Sequence, residues 1–165
     1  MPLLTPSQPL SHAELSSIVR LAPLVSIDLI IRNAQEEVLL GLRSNEPAKG
    51  FYFVPGGMIR KGERLREAFS RILKDETGLT ADFAEARLVG VYEHFYDNNR
   101  FAEAGYGTHY VTLGYAVRFD DLGTCTGQSA QRTRLVGRGR GPRLGYRSPQ
   151  CKILFPLSAD NRAAT

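Results

Sequence analysis

The chain has 165 residues, of which 42% are hydrophobic and 23% charged, and this is the size and composition of one globular domain with a sizeable core. No apolar run approaches the roughly 18 residues of a membrane span. The N-terminus lacks the features of a secretory signal. The two cysteines, Cys125 and Cys151, do not have the spacing of metal ligands. We therefore expect a reduced, cytoplasmic setting without a membrane partner. The net charge of +4 comes from residues 123–165, which hold eight basic residues and one acid, against 13 basic and 16 acidic residues in 1–122, so we expect no nucleic-acid partner for the fold.

The elements follow in chain order. Ser11, a typical N-cap residue with Glu14 three residues later, predicts a short helix over 12–20. Apolar and β-branched runs predict strands at 24–32, 38–43, 51–57, 86–96 and 108–119. The first two strands should form a hairpin, and Pro55 with two glycines should end the third. Apolar residues at helical spacing predict a second helix over 63–77, with Gly78 as its C′ residue. Strands around a helix without βαβ order favour an α+β fold with a mixed sheet, of the α-β-α sandwich type.

The signals change after Asp121. Residues 123–165 are rich in Gly, Arg, Ser and Thr and show no sustained hydrophobic period. We therefore predict a domain over 1–122 and a separate, poorly packed Arg/Gly-rich segment over 123–165. Two explanations of this segment stay open, a shifted reading frame and a divergent tail.

The stretch "GGMIRKGERLREAFSRILKDETGL" is a glycine turn that runs into a charged helix. A turn of this kind can present backbone groups to a ligand. Asp75 and Glu76 lie near the C-terminal end of the helix, where the helix dipole does not favour acidic side chains. A solvated helix face is the alternative interpretation.

The spacing over 57–79 resembles the Nudix box, G-x5-E-x7-R-E-U-x-E-E-x-G-U with U apolar, and Gly57, Glu63, Arg71, Glu76, Gly78 and Leu79 stand at its positions. Ile72 and Asp75 replace two of its glutamates. In the Nudix family these glutamates gather divalent metal around a pyrophosphate. Fewer ligand charges support fewer metal ions, whereas attack of water at phosphorus commonly uses a multi-metal clamp. Ile72 therefore favours attack elsewhere, with the diphosphate leaving as an intact group.

The stretches "PLVSIDLIIRN", "EVLLGLRSNEPAKGFYFVPGG", "GVYEHFYDNN" and "THYVTLGYAVRF" resemble the GDP-mannose mannosyl hydrolase branch of the Nudix family, over about residues 16–119. The resemblance implies a Nudix fold, a homodimer and hydrolysis of a GDP-sugar to GDP and free sugar by attack of water at the anomeric carbon. It also implies Mg²⁺, with Mn²⁺ as a substitute, bound by the carbonyl of Gly56 and the carboxylate of Glu76.

The same resemblance assigns roles to four further residues. Arg43 matches an arginine that stabilises the departing diphosphate, Asp28 a sugar-binding aspartate, and His94 and Tyr110 residues that assist departure of the nucleotide. Simpler interpretations stay open: Arg43 as a charge at a strand end, and His94 and Tyr110 as polar residues of the core. For Glu63 and Arg71 we expect a structural pair that supports the loop.

Two departures from the branch bear on activity. Met58 stands where the branch has an arginine that helps to bind the diphosphate. No histidine follows His109 and no tryptophan is present, so the general base of the branch is missing; loss of a base commonly costs about 10²–10⁴ in rate. Three alternatives to the GDP-sugar hydrolase therefore stay open: a Nudix pyrophosphohydrolase that attacks at phosphorus, a catalytically impaired nucleotide-sugar binder, and nucleic-acid binding through the Arg/Gly segment.

Overall fold

The computed structural model describes residues 9–122 and 133–136. Its helices are α1 (His12–Leu21) and α2 (Leu65–Thr77), and a short 3₁₀ turn spans Phe83–Glu85. Its strands are β1 (Leu24–Arg32), β2 (Val38–Leu42), β3 (Tyr52–Phe53), β4 (Gly56–Met58), β5 (Arg87–Tyr96), β6 (Thr108–Arg118) and β7 (Thr133–Val136). The predicted α+β class with a mixed sheet is confirmed.

The strands of the described ranges form one sheet whose main path is β3-β2-β1-β6-β5. β1 is its central strand: it runs parallel to β6 over its whole length and antiparallel to β2 and β4 on its other side. β5 and β6 form a long antiparallel pair in which His94 lies opposite Tyr110. Parallel strands adjacent in a sheet cannot be joined by a tight turn, and the long connection between β1 and β6 contains β2 to β5 and α2.

Capping explains the helix ends. Ser11 and Glu14 form the predicted capping box of α1, in which Glu14 accepts from the Ser11 N–H at 2.9 Å. α2 ends at Gly78, whose φ of 79° lies in the left-handed region that glycine adopts readily. α2 begins at Leu65, two residues later than predicted, and the Glu63 side chain accepts from the Arg60 N–H at 2.9 Å in the loop before the helix.

Alternation along β1 divides the core between the two faces of the sheet. Ile27, Leu29 and Ile31 pack on the face that α2 covers, where its side chains Phe69 and Leu73 are fully buried. Ile30 lies on the opposite face in a smaller cluster with Val38, Leu40 and Val54. The even-numbered positions of β1, among them Asp28, therefore face away from α2.

One prediction about the sheet needs correction. The third strand was predicted over 51–57 with the glycines as its end, but Pro55 separates β3 from β4, and Gly56 and Gly57 are themselves paired with β1. Within the predicted tail, β7 pairs antiparallel with β2, and Val136 packs against the smaller cluster. The predicted tail therefore contributes one strand, β7, to the same sheet, and the domain boundary predicted at residue 122 stays a prediction. The other residues of 123–165 lie outside the described ranges. No helix within those ranges is long and apolar enough to span a membrane.

Candidate active site

Asp28 stands in a row of glycines that crosses the sheet. Its partners in the neighbouring strands are Gly56 of β4 and Gly114 of β6, and Gly114 in turn lies opposite Gly90 of β5. A Cβ at Gly56 would lie 2.5 Å from Oδ1 of Asp28, and a Cβ at Gly114 would lie 2.9 Å from the ring of Tyr92. The glycines therefore leave room for the carboxyl group of Asp28 and for the Tyr92 ring on this face.

Asp28 is partly buried, and its carboxyl group is shielded from water. Burial raises its pKa to about 7, against the opposing charge of Arg43. A carboxylate shielded from water is stable only with compensating partners. The Asp28 carboxylate is therefore suited to bind the hydroxyl groups of a ligand or a cation.

Arg43 and Tyr110 meet beside this carboxyl. Arg43 directly follows β2, and its guanidinium lies 5.2 Å from the ring centroid of Phe53 on β3, within the range of a cation–π contact. Burial raises the pKa of the Tyr110 hydroxyl, and the charges of Arg43 and Arg100 oppose that rise. The neutral phenol is therefore a hydrogen-bond donor at neutral pH, next to a guanidinium whose fork geometry suits phosphate oxygens.

His94 lies opposite Tyr110 on β5 and is 5% exposed. Burial lowers the pKa of its imidazole, so the ring is neutral at pH 7. Neither ring nitrogen finds a hydrogen-bond partner among the described residues. A buried polar group without a partner costs about 1–3 kcal/mol, and a bound ligand that supplies a partner would recover that free energy. His94 is thus better explained as a ligand-binding group than as a satisfied core residue.

The loop before α2 is closed by the expected pair of Glu63 and Arg71. The Arg71 Nε donates to Glu63 at 2.6 Å, and its Nη2 donates to Glu63 and to the carbonyl of Met58, each at 2.9 Å. Glu63 also accepts from the Arg60 N–H, and its side chain is only 4% exposed. The pair ties the helix to the end of β4 and so fixes the strand that carries Gly56.

Ile72, at the position of a box glutamate, is a core residue. It is 1% exposed, and a Cβ at Gly57 would lie 3.3 Å from its Cγ1. Glu76 follows one turn later on the same face of α2 and is partly exposed. Neighbouring residues of β4 thus face in opposite directions: Gly57 faces the Ile72 side chain, and Gly56 faces Asp28.

The residues present fit a single hard cation. A backbone carbonyl in β4, where Gly56 has no space for a side chain, and the carboxylate of Glu76 are oxygen donors, the type that Mg²⁺ prefers. Within residues 9–122 and 133–136, no three acidic, histidine or cysteine side chains converge as a metal-binding group. The described residues would therefore supply few of the ligands of such an ion.

The registers place three of the six predicted residues, Asp28, His94 and Tyr110, on one face of the sheet. Arg43 follows β2, and its charge opposes the rise that burial causes in the pKa of both Asp28 and Tyr110; Gly56 lies beside Asp28, and Glu76 lies on α2. Sequence reasoning missed Phe53, Tyr92 and Arg100. The dipeptide "NR" in the β5–β6 loop gave no periodic signal for Arg100, and Tyr92 is indistinguishable in the sequence from other strand aromatics. An alternation count along β5 would have placed Tyr92 on the same face as His94.

Comparisons with known proteins identify the family and the fold of the chain. A family model described as the NUDIX domain matches residues 22–132. The chain is 42% identical over 116 residues to the low-salt glycan biosynthesis protein Agl8 of Haloferax volcanii, covering 70% of this chain and 72% of that protein. It is 42% identical over 72 residues to an ADP-ribose pyrophosphatase of Methanocaldococcus jannaschii, covering 44% of this chain and 41% of that protein. A MutT NUDIX hydrolase of Burkholderia pseudomallei has a similar fold, with a TM-score of 0.58 and 23% identity over 73% of this chain and 87% of that one.

Proposed function

The chain belongs to the Nudix family, and from this premise we propose that it hydrolyses a GDP-sugar, GDP-mannose or GDP-glucose, to GDP and free sugar by attack of water at the anomeric carbon. The observation that carries the proposal is Ile72, which is packed into the core where the box has a glutamate. The chain cannot present a third carboxylate there, and that loss weakens the case for the multi-metal clamp of attack at phosphorus. Similarity to a protein named for glycan biosynthesis supports a sugar-containing substrate.

In the proposed reaction, water forms a bond to the anomeric carbon and releases a proton to the solvent, the bond from that carbon to the diphosphate oxygen breaks, and the bonding electrons leave with GDP. Mg²⁺ held by Gly56 and Glu76 would neutralise negative charge on the diphosphate. Arg43 binds the diphosphate oxygens, where charge increases as the bond breaks, and this is the arrangement that stabilises a transition state. His94 and Tyr110, both neutral, donate hydrogen bonds to the departing group. Asp28 accepts hydrogen bonds from sugar hydroxyls.

Burial affects two of these side chains. It raises the pKa of both Asp28 and Tyr110, because the charged form of each group is poorly solvated where water is excluded. Electrostatic interactions are stronger in such an environment than in water. We assign the general base for the attacking water to none of the described residues.

Labelled water tests the proposal directly. The protein is incubated with GDP-mannose and Mg²⁺ in water enriched in ¹⁸O. The products are then separated, and their masses are measured by mass spectrometry. We expect the label in the free sugar and unlabelled GDP. Label in GMP or in a sugar phosphate would refute attack at carbon and support a pyrophosphohydrolase, the second candidate, which the similarity to an ADP-ribose pyrophosphatase favours. Tight binding of GDP-mannose without turnover would instead identify an impaired nucleotide-sugar binder.

A further inference from the structure

The loop between β5 and β6, residues 97–107, is organised by a buried asparagine. Asn99 is fully buried, and its amide donates to the carbonyls of Glu103 and Tyr106 at 2.8 and 2.9 Å. Its side-chain oxygen accepts from the N–H groups of Phe101 and Glu103. One side chain therefore makes four hydrogen bonds within its own loop, and the backbone next to it, including that of Arg100, has a fixed path.

The same loop is tied to two other elements. The Tyr106 hydroxyl donates to Glu103 at 2.5 Å and lies 2.9 Å from the hydroxyl of Ser16 on α1. On its other side, the Asn98 amide donates to Glu46 at 2.9 Å. Glu46 belongs to the β2–β3 loop, which begins at Arg43. The two loops that carry Arg43 and Arg100 are therefore joined directly.

Arg100 extends from this fixed loop with an exposed side chain. Its guanidinium lies 5.9 Å from the ring centroid of Phe101, and that ring packs edge-on against His12 of α1 at 4.4 Å. The contact with an aromatic face orients a guanidinium without consuming its hydrogen-bond donors. The hydrogen bond from Asn98 to Glu46 holds the loop of Arg100 beside the loop that begins at Arg43. The charges of both arginines oppose the rise that burial causes in the pKa of Tyr110, which agrees with this placement.

We infer that Arg100 is a second substrate-binding cation, which binds the diphosphate of the substrate together with Arg43. The inference rests on the proposed function, since it assumes a nucleoside diphosphate at this site. A diphosphate carries more than one negative charge, and guanidinium groups bind such oxygens in a bidentate manner. Two arginines on joined loops would hold the two phosphates and so select a diphosphate over a single phosphate.

Equilibrium binding tests this without requiring turnover. Calorimetric titrations with GDP and with GMP, at fixed Mg²⁺, compare the wild type with Arg100→Gln and Arg100→Lys. The matched control is Arg66→Gln, because Arg66 is an exposed arginine on α2 with no place in the site. We expect Arg100→Gln to weaken GDP binding about tenfold and GMP binding less, as for the loss of one charge-assisted contact. Arg100→Lys should restore part of the affinity, and Arg66→Gln should change neither nucleotide.

The outcomes separate the inference from the proposed function. If the wild type binds GDP and Arg100→Gln binds it equally tightly, the role of Arg100 is refuted and the proposed function is not. Equal losses for GDP and GMP would refute the assignment to the diphosphate. If the wild type binds neither nucleotide, the proposed function fails and the inference fails with it. Thermal unfolding of Arg100→Gln should match the wild type because the replaced side chain is exposed, and a lowered midpoint would instead point to a structural role.

Discussion

The pair of Glu63 and Arg71 offers a quantitative test of how the loop before α2 is held. Replacing Glu63 with Gln removes the charge that accepts three hydrogen bonds, two from Arg71 and one from the Arg60 N–H. Breaking a fully buried ion pair costs about 3–5 kcal/mol, and an exposed pair contributes about 0–1 kcal/mol. Glu63 is 4% and Arg71 23% exposed, so this pair lies between the two cases. We expect a loss of about 2 kcal/mol in the free energy of unfolding, a midpoint lower by about 4–8 °C.

The pH dependence gives the same test a second readout. The hydrogen bond from Arg71 holds the pKa of Glu63 below its ordinary value of 4.5. The folded state therefore favours the ionised form, and the stabilisation is present above pH 4.5 and is lost as the pH falls through the folded-state pKa. Glu63→Gln has no carboxyl to protonate, so its stability should fall less steeply with acid than that of the wild type.

Urea unfolding of the wild type, Glu63→Gln, Arg71→Gln and the double variant measures the coupling within the pair. Glu85→Gln serves as the control, because Glu85 is an exposed carboxylate of the 3₁₀ turn and its loss should change stability by less than about 0.5 kcal/mol. If Glu63→Gln is as stable as this control at pH 7, the pair does not stabilise the loop and the reasoning is wrong.

Two further predictions concern the metal side of the site. Glu76→Gln should remove most metal-dependent turnover, since a neutral amide is a poorer Mg²⁺ ligand than a carboxylate. If turnover and its dependence on Mg²⁺ concentration are both unchanged, Glu76 is excluded as a ligand. Gly56→Ala should lower both stability, by about 1–3 kcal/mol, and substrate affinity, because its Cβ would lie 2.5 Å from Asp28 and 2.7 Å from the carbonyl of Ile27. Gly57→Ala is the matched control, since the closest contact of its Cβ, 3.3 Å from the Ile72 side chain, is longer than either contact at Gly56. Equal behaviour of the two variants in unfolding and binding assays would refute the steric argument.

The sequence by itself determined the features that depend on neighbours along the chain. The capping box at Ser11, the left-handed end of α2 at Gly78 and the extent of β1 all follow from short-range rules of capping, turn chemistry and periodicity. The box over 57–79 is also a pattern of neighbouring residues, and the sequence alone shows that Ile72 replaces one of its glutamates. The pair of Glu63 and Arg71 was also expected, because a loop and the helix that follows it are close in space.

The family resemblance had assigned distant residues to one site, but only the tertiary structure decided how they are brought together. Asp28, Arg43, His94 and Tyr110 come from four different strands or strand ends, and their meeting depends on the parallel register of β1 and β6 and on the antiparallel register of β5 and β6. A shift of one residue in either register would move an entire strand's side chains to the opposite face. The glycine row beside Asp28 and the second cation, Arg100, have the same origin. Register is fixed by long-range burial on two faces of a sheet, and no local pattern in the chain carries that information.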